Sequence, residues 1–176
     1  GPHPPYDPTW AYAEPYMNRD LPRLEVTEDE LASQPPPFLE MRRHNCDVDH
    51  DSVVHQLNPT PEQRHRQRAY YLANVTMIDD KIGQILNALD QQGYLDNSVV
   101  IFTSDHGEMA GEHGLWRKMN FYEQAARIPL QISWPGRLPE GKRVLEATSN
   151  VDFVATLLDI VGIDPAAWDM DGDSFL

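Results

Sequence analysis

Residues 98–108 read SVVIFTSDHGE, and this stretch decides the expected fold. Its first six residues are mostly apolar or β-branched, as expected of a strand buried on both faces of a parallel sheet. Asp105 and His106 follow at the carboxyl end of that strand, where open α/β sheets place their ligands. Gly107 permits a sharp turn and a close approach to a ligand. Taken alone, the sequence Asp105-His106-Gly107 is slightly more typical of an ordinary turn at the end of a strand.

Helices and a second strand are predicted on either side of this segment. Thr60, Pro61 and Gln63 form the pattern of a capped helix start, and Gly93 is typical of the end of that helix. The other expected elements are a short helix near 122–127, a strand at 128–133, and a last helix capped at 150–152 and ended by Gly162. This alternation predicts an α/β domain with a largely parallel sheet flanked by helices.

The first third of the chain has a different composition. Ten of the 15 prolines fall within residues 1–59. Since proline fixes φ and removes a hydrogen-bond donor, we expect 1–59 to be an extended, loop-rich part of the same domain as the α/β part, 60–176. A partly disordered tail is the alternative.

Composition excludes several classes of partner. The 176 residues carry 14 Lys and Arg against 28 Asp and Glu, a net charge of −14. We therefore expect neither a nucleic acid nor an anionic membrane as partner. The one cysteine can form no internal disulfide, and it leaves open whether the compartment is cytoplasmic or periplasmic. The sequence also leaves open whether the protein forms a homo-oligomer. Since the chain begins without Met, we expect a piece of a longer protein.

A second polar segment follows the first closely. Residues 111–118 read GEHGLWRK, which adds two glycines, His113 and Lys118 within a few residues of the Asp105–His106 pair. A Lys ammonium suits a phosphate or sulfate oxygen, so the combination suggests an anion site. A solvated surface charge is the alternative for Lys118. His113 is equally compatible with a substrate contact and with loop packing.

The order of motifs along the chain resembles that of the sulfatase family of the alkaline phosphatase superfamily. The matching segments are 2–6 (PHPPY), Asp79 with Gly83, 104–108 (SDHGE), 114–118 (GLWRK), 122–123, 127–130 (RIPL), 134–136 (WPG), 151–158 and 171–174 (DGDS). Residues 20–58 match nothing. Histidine at position 106, where the family often has Asn, resembles the choline-sulfatase-like and phosphonate-monoester-hydrolase-like branches.

The resemblance implies an alkaline-phosphatase-like fold and a role for each matching residue. Asp105 and His106 would ligate a divalent metal, usually calcium, with manganese or magnesium as alternatives. Lys118 would bind the sulfate or phosphate oxygen, and His3 would contact the same group or act as general acid. The substrate would be a small-molecule sulfate monoester, or a phosphonate monoester or phosphodiester.

The family's nucleophile is the exception to this match. It is a Cys or Ser in a Cys/Ser-x-Pro/Ala-x-Arg motif, converted to formylglycine, and Cys46 has neither the Pro nor the Arg. We therefore interpret Cys46 as an inert thiol. The nucleophile is expected outside this chain, which alone would be inactive. A non-catalytic fragment or interaction module is the alternative from another class. Spaced Asp and His residues at 44–55 are interpreted as a surface loop.

Overall fold

The computed structural model describes residues 2–22, 24, 26–48 and 56–176, in two units, 1–134 and 135–176. The helices are α1 (Trp10–Met17), α2 (Glu28–Ser33), α3 (Pro36–Val48), α4 (Pro61–Gln91), α5 (Glu123–Ala126) and α6 (Asn150–Ile160). The strands are β1 (Val100–Thr103) and β2 (Leu130–Ser133), and short 3-10 turns lie at 95–97, 112–114 and 165–167. Among the helices described, none is both long and apolar enough to cross a membrane.

The long helix α4 begins and ends as its sequence predicts. The Thr60 hydroxyl accepts from the amide of Gln63, and the Gln63 side chain accepts from the amide of Thr60, so both halves of the capping box are formed. Gly93 follows the helix at φ +71°. The Tyr94 amide donates to the Leu89 carbonyl, which satisfies one of the last carbonyls of the helix.

The prediction of an extended segment at 1–59 is wrong for much of its described part, because α1, α2 and α3 lie there. Proline is compatible with the first turn of a helix, where Pro36 begins α3, so a high proline count does not exclude helices. Thr27 caps α2 by accepting from the amide of Glu30. Tyr12 and Tyr16 fasten α1 to α4 through hydrogen bonds to Asp80 and Thr76, of 2.8 and 2.6 Å.

The two described strands pair antiparallel, with Val100 opposite Ser133 and Thr103 opposite Leu130. The sequence predicted a largely parallel sheet, but the one strand pair among the described residues is antiparallel. Between them lie a folded-back loop and the single-turn α5, so the chain returns beside β1 without a crossover helix over the sheet. Burial on both faces is also a wrong prediction here, because Phe102 is 42% exposed. A β-branched run predicts a strand, whereas the direction of the strand and the burial of its faces depend on the elements that pack against it.

Two buried clusters support the segment that follows β1. Met109, Leu115 and Ala125 are buried together, with Phe38, Met41 and Tyr122 packed against them. Tyr6 is buried against Tyr71 of α4, with ring centroids 5.6 Å apart in an edge-on contact. These clusters hold the loop at 104–122 on a helical base.

Residues 135–176 form the second unit around α6. Its capping box uses Ser149 and Asp152, so the cap lies one residue before the predicted one at 150–152. Gly162, at φ +78°, ends the helix as predicted. The final residues lie along α6, where the Asp173 amide donates to Asp152 and the Phe175 amide to Thr156.

Candidate functional site

The strand β1 ends in a tight polar turn that turns two adjacent side chains toward each other. The Ser104 hydroxyl donates to the carbonyl of His106, and the His106 amide donates to Asp105 Oδ1, at 2.8 and 2.9 Å. These bonds end the strand geometry, in which neighbouring side chains would point to opposite faces. Asp105 Oδ2 and His106 Nε2 consequently lie 3.4 Å apart.

The His106 ring is oriented by its own backbone. Its Nδ1 lies 2.7 Å from the Gly107 carbonyl oxygen, which can only accept, so Nδ1 carries the proton of the neutral ring. The lone pair of the neutral ring is then on Nε2, the atom that faces Asp105. Metal-ligating histidines are commonly oriented in this way, with the other ring nitrogen donating to a carbonyl or carboxylate.

The Asp105–His106 pair fits a divalent cation. A carboxylate oxygen and a neutral imidazole nitrogen 3.4 Å apart present two lone pairs to the same space, which a shared cation satisfies. The Asp105 side chain is 82% exposed, so this space is open. Across the described ranges, no group of three or more His, Cys, Asp or Glu residues is arranged to hold a metal. Two donors alone do not complete the coordination of such an ion.

Asp105 is biased toward its ionised form. Desolvation raises the pKa of this carboxyl, but hydrogen bonds from the His106 and Asp105 amides and from the Ser104 hydroxyl, with the charge of the His106 ring in its protonated form, lower the pKa further than desolvation raises it. The net effect places the pKa of Asp105 below its usual value. An ionised carboxylate is the form that binds a hard cation.

Gly107 allows the chain to leave β1 against α5. Its amide donates to the Ala125 carbonyl at 2.8 Å. A Cβ at this position would lie 2.0 Å from the Gln124 carbonyl oxygen, far inside van der Waals contact. Glycine is therefore required here by the close approach of two backbones, whereas the sequence suggested a close approach to a ligand.

The loop after Gly107 folds back on itself. The Met109 amide donates to the Arg117 carbonyl, and the Gly111 amide to the Leu115 carbonyl, both at 2.9 Å. Glu108 Oε1 accepts from the amides of Ala110 and Arg117, at 3.2 and 2.5 Å. The chain thus returns to Glu108 just before Lys118, a partly buried residue. The predicted return of Lys118 to the Asp105 cleft is compatible with this path and stays a prediction.

His113 lies in a packing contact with the N-terminal helices. Its Nδ1 is 2.5 Å from Glu30 Oε1, and its ring stacks on Tyr122 with centroids 4.2 Å apart. Gln34 donates to the His113 carbonyl at 2.6 Å. These are the contacts expected of the loop-packing alternative. No sequence pattern indicated Glu30 in this role, because it lies 83 residues away along the chain.

His3 is exposed beside the buried Tyr6. Its Nδ1 lies 2.6 Å from the Pro4 carbonyl oxygen, which leaves Nε2 to face solvent or a ligand. Burial raises the pKa of Tyr71, the partner of Tyr6, and the negative charge of Glu108 raises it further.

The segment predicted to be a polar surface loop at 44–55 is described only in part. His44 is exposed on α3, and Cys46 is partly buried near the end of that helix. Cys46 lines a small cavity with Arg42, Gln67 and Trp116, among others. The predicted loop residues Asp49, His50, Asp51 and His55 lie outside the described residues.

Comparison with known proteins places these observations in one family. The Sulfatase family model matches residues 1–163. A choline-sulfatase of Rhizobium meliloti is 38% identical over 162 residues, which are 92% of this chain and 30% of that protein. An arylsulfatase K of Xenopus laevis is 34% identical over 89% of this chain and 27% of its own length.

Solved structures give a similar result. The phosphonate monoester hydrolase of Agrobacterium radiobacter superposes with a TM-score of 0.85 at 29% identity, covering 99% of this chain and 35% of that one. The corresponding enzyme of Silicibacter pomeroyi gives 0.71 at 30% identity, over 98% and 33%. The chain thus spans about a third or less of the proteins that it matches.

Proposed function

Because this chain belongs to the sulfatase family, we propose that the whole protein hydrolyses a small-molecule sulfate monoester. The observation that carries the proposal is the facing pair at the end of β1, Asp105 Oδ2 and His106 Nε2, 3.4 Å apart. A carboxylate and an oriented imidazole in this arrangement suit the metal centre of an ester hydrolase. The chain supplies only part of that centre.

Members of the family generally use a divalent metal, and Asp105 and His106 are the proposed ligands here. We propose calcium, with manganese or magnesium as alternatives, because an oxygen ligand with one imidazole is compatible with each. When bound, the metal would supply Lewis-acid polarisation of the ester and lower the pKa of the nucleophile. Asp105 and His106 would act as ligands in the orientation that they already have, with Oδ2 facing Nε2.

The other proposed site residues act on the ester oxygens. The Lys118 ammonium would bind a sulfate oxygen and stabilise the charge that develops on the leaving group. His3, with Nε2 available, would contact the same group or donate a proton to the leaving oxygen. His113 is proposed as a substrate residue only in second place, since its ring is engaged by Glu30 and Tyr122.

The remaining parts of the catalytic domain belong to the same proposal. Residues 1–59 and 60–176 would both contribute to one alkaline-phosphatase-like domain, whose largely parallel sheet would be completed by strands from elsewhere in the protein. The nucleophile, a Cys or Ser converted to formylglycine, and further acidic ligands would come from there as well. The matched proteins are about three times as long as this chain, which supports this division.

Hydrolysis of a phosphonate monoester or phosphodiester is the second candidate. The likeness to a phosphonate monoester hydrolase, with its TM-score of 0.85 over nearly the whole chain, favours it. Sulfate and phosphonate esters present similar tetrahedral oxygens, so the same residues would serve either substrate. Only measured turnover separates the two.

The test uses the whole protein with an aryl sulfate, a phosphonate monoester and a phosphodiester. We expect the aryl sulfate to be preferred, activity to be lost with chelator, and calcium, manganese and magnesium to restore it to different extents. Asp105→Ala and Lys118→Ala should each lower kcat about 100-fold or more, since each removes one electrostatic stabiliser. Lys142→Ala, at an exposed position in the second unit, is the matched control.

Two results would contradict the proposal. A preference for the phosphonate monoester would establish the second candidate instead. Wild-type kcat in Asp105→Ala would remove the metal assignment, because catalysis would then not depend on that carboxylate.

A further inference from the structure

Glu108 has no role in the proposed chemistry, yet its carboxylate bonds two amides of the loop that follows the metal pair. It comes two residues after His106, and a single one of its oxygens accepts from the amides of Ala110 and Arg117. Its negative charge also reaches Tyr71, which packs against Tyr6 in the segment that begins with His3. One carboxylate oxygen thus bonds both ends of the loop that returns from Ala110 to Arg117.

The two amides that Glu108 holds belong to strained residues. Ala110 and Arg117 have φ angles of +46° and +69°, in the left-handed region that residues with a Cβ avoid. Each such residue costs about 1–2 kcal/mol. Among the described residues, His113 is the only other non-glycine residue with positive φ, and its ring is held by Glu30 instead. The two hydrogen bonds to Glu108 Oε1 offset part of this strain.

The strain at Arg117 bears directly on Lys118, its neighbour. The Met109 amide bonds the Arg117 carbonyl, and Glu108 bonds the Arg117 amide, so the peptide units on both sides of the Arg117 Cα are fixed. Lys118 therefore leaves the loop in a direction set by these two bonds. Without the carboxylate, one of these two bonds is lost, and we expect Arg117 to relax toward negative φ and to turn the Lys118 side chain away.

We propose that Glu108 is a positioning residue that aims Lys118 at the ester oxygens by holding Arg117 in its left-handed conformation. The proposal rests on the role given above to Lys118. It requires an acceptor atom at the position of Oε1 and does not require the negative charge of Glu108.

The experiment compares Glu108→Gln, Glu108→Asp, Glu108→Ala and Lys118→Ala in the whole protein, with Glu140→Gln as an exposed control. Gln keeps an acceptor at the same reach, whereas Asp keeps the charge but is one methylene too short. We expect Glu108→Asp and Glu108→Ala to lower kcat by tenfold or more, toward the roughly 100-fold cost of a 1 Å misplacement. Glu108→Gln should recover most of the activity.

The double variant Glu108→Ala/Lys118→Ala shows whether Glu108 acts through the lysine. We expect it to lose no more kcat than Lys118→Ala alone, since there is then no ammonium left to position. Amide hydrogen exchange at Arg117 should accelerate in Glu108→Ala and stay slow in Glu108→Gln. This measurement keeps the proposal testable if Glu108→Ala is too unstable for kinetics.

The failures are distinguishable. If Lys118→Ala retains wild-type kcat, the proposed function has lost its anion-binding residue. If Lys118→Ala is impaired but Glu108→Ala and Glu108→Asp are not, the positioning role alone is wrong. Additive losses in the double variant, or a Glu108→Gln as impaired as Glu108→Ala, would also overturn it.

Discussion

At the scale of single residues, the site depends on side chains whose conformations are set by local bonds. Asp105 and His106 come together because hydrogen bonds of the Ser104 hydroxyl and the His106 amide fold the chain into a turn directly after β1. The sequence indicated the pair and its strand-end position. It assigned Glu108 no role, because the loop that Glu108 stabilises becomes visible only when Arg117 folds back to it.

Gly107 provides a prediction at this scale. We expect Gly107→Ala to lower the free energy of unfolding by about 1–3 kcal/mol, the cost of forcing atoms into a packed site, because its Cβ would overlap the Gln124 carbonyl. The loop carrying Lys118 should shift, and kcat should fall with it. Thermal or urea unfolding and kinetics of the whole protein would measure both effects.

Gly83→Ala is the matched control for this substitution. Gly83 lies inside α4, and a Cβ added there would meet no atom within 4 Å beyond its own stretch of helix. Alanine should therefore be neutral or stabilising at this position, by up to about 1 kcal/mol. Equal stability of the two variants would show that the backbones at 107 and 124 separate easily.

At the scale of elements, short-range signals predicted the helix ends well and the sheet poorly. The boundaries of α4 follow from Thr60, Gln63 and Gly93, whose effects act within one turn of the helix. The helices in the first third were missed because proline was taken to exclude helix, although it is tolerated in a first turn. The antiparallel pairing of β1 with β2 depends on the loop between them, which local propensity does not encode.

The cap of α4 gives the prediction at this scale. Thr60→Ala removes the hydroxyl that accepts from the Gln63 amide and should cost about 1 kcal/mol of stability. Thr148→Ala, at an exposed position outside any helix, should change stability little. Urea unfolding of both variants would make the comparison, and an equal, small effect would show that α4 is stabilised by its packing with α1 rather than by its cap.

At the scale of the whole molecule, the candidate site has fewer donors than the proposed metal centre needs. The described residues supply one carboxylate and one imidazole to the candidate metal site, whereas a hard divalent ion takes about six oxygen ligands. The Ser104 hydroxyl, the one nearest to the pair in sequence, already donates to the His106 carbonyl. The proposed activity therefore requires further ligands and a nucleophile in addition to these residues.

We accordingly expect no turnover of aryl sulfates or phosphodiesters by the 176-residue chain alone, with calcium or manganese added. A nucleophilic route needs an activated oxygen or sulfur held against the ester. The whole protein, assayed in parallel, is the positive control, and circular dichroism would show that the isolated chain retains its helices. Robust metal-dependent turnover by the isolated chain would mean that the nucleophile lies within it.

The sequence by itself determined the order of motifs, the strand that ends in Asp105 and His106, and the caps of α4. These features depend on contacts between residues close together in the chain. Only the tertiary structure decided the antiparallel pairing of β1 and β2, the contact of His113 with Glu30, and the hydrogen bond from the Arg117 amide to Glu108. The two side-chain contacts join residues that are 83 and 9 positions apart, and the strand pairing joins segments on either side of a loop. All three depend on how the loops fold back. The path of a loop follows from packing rather than from local propensity.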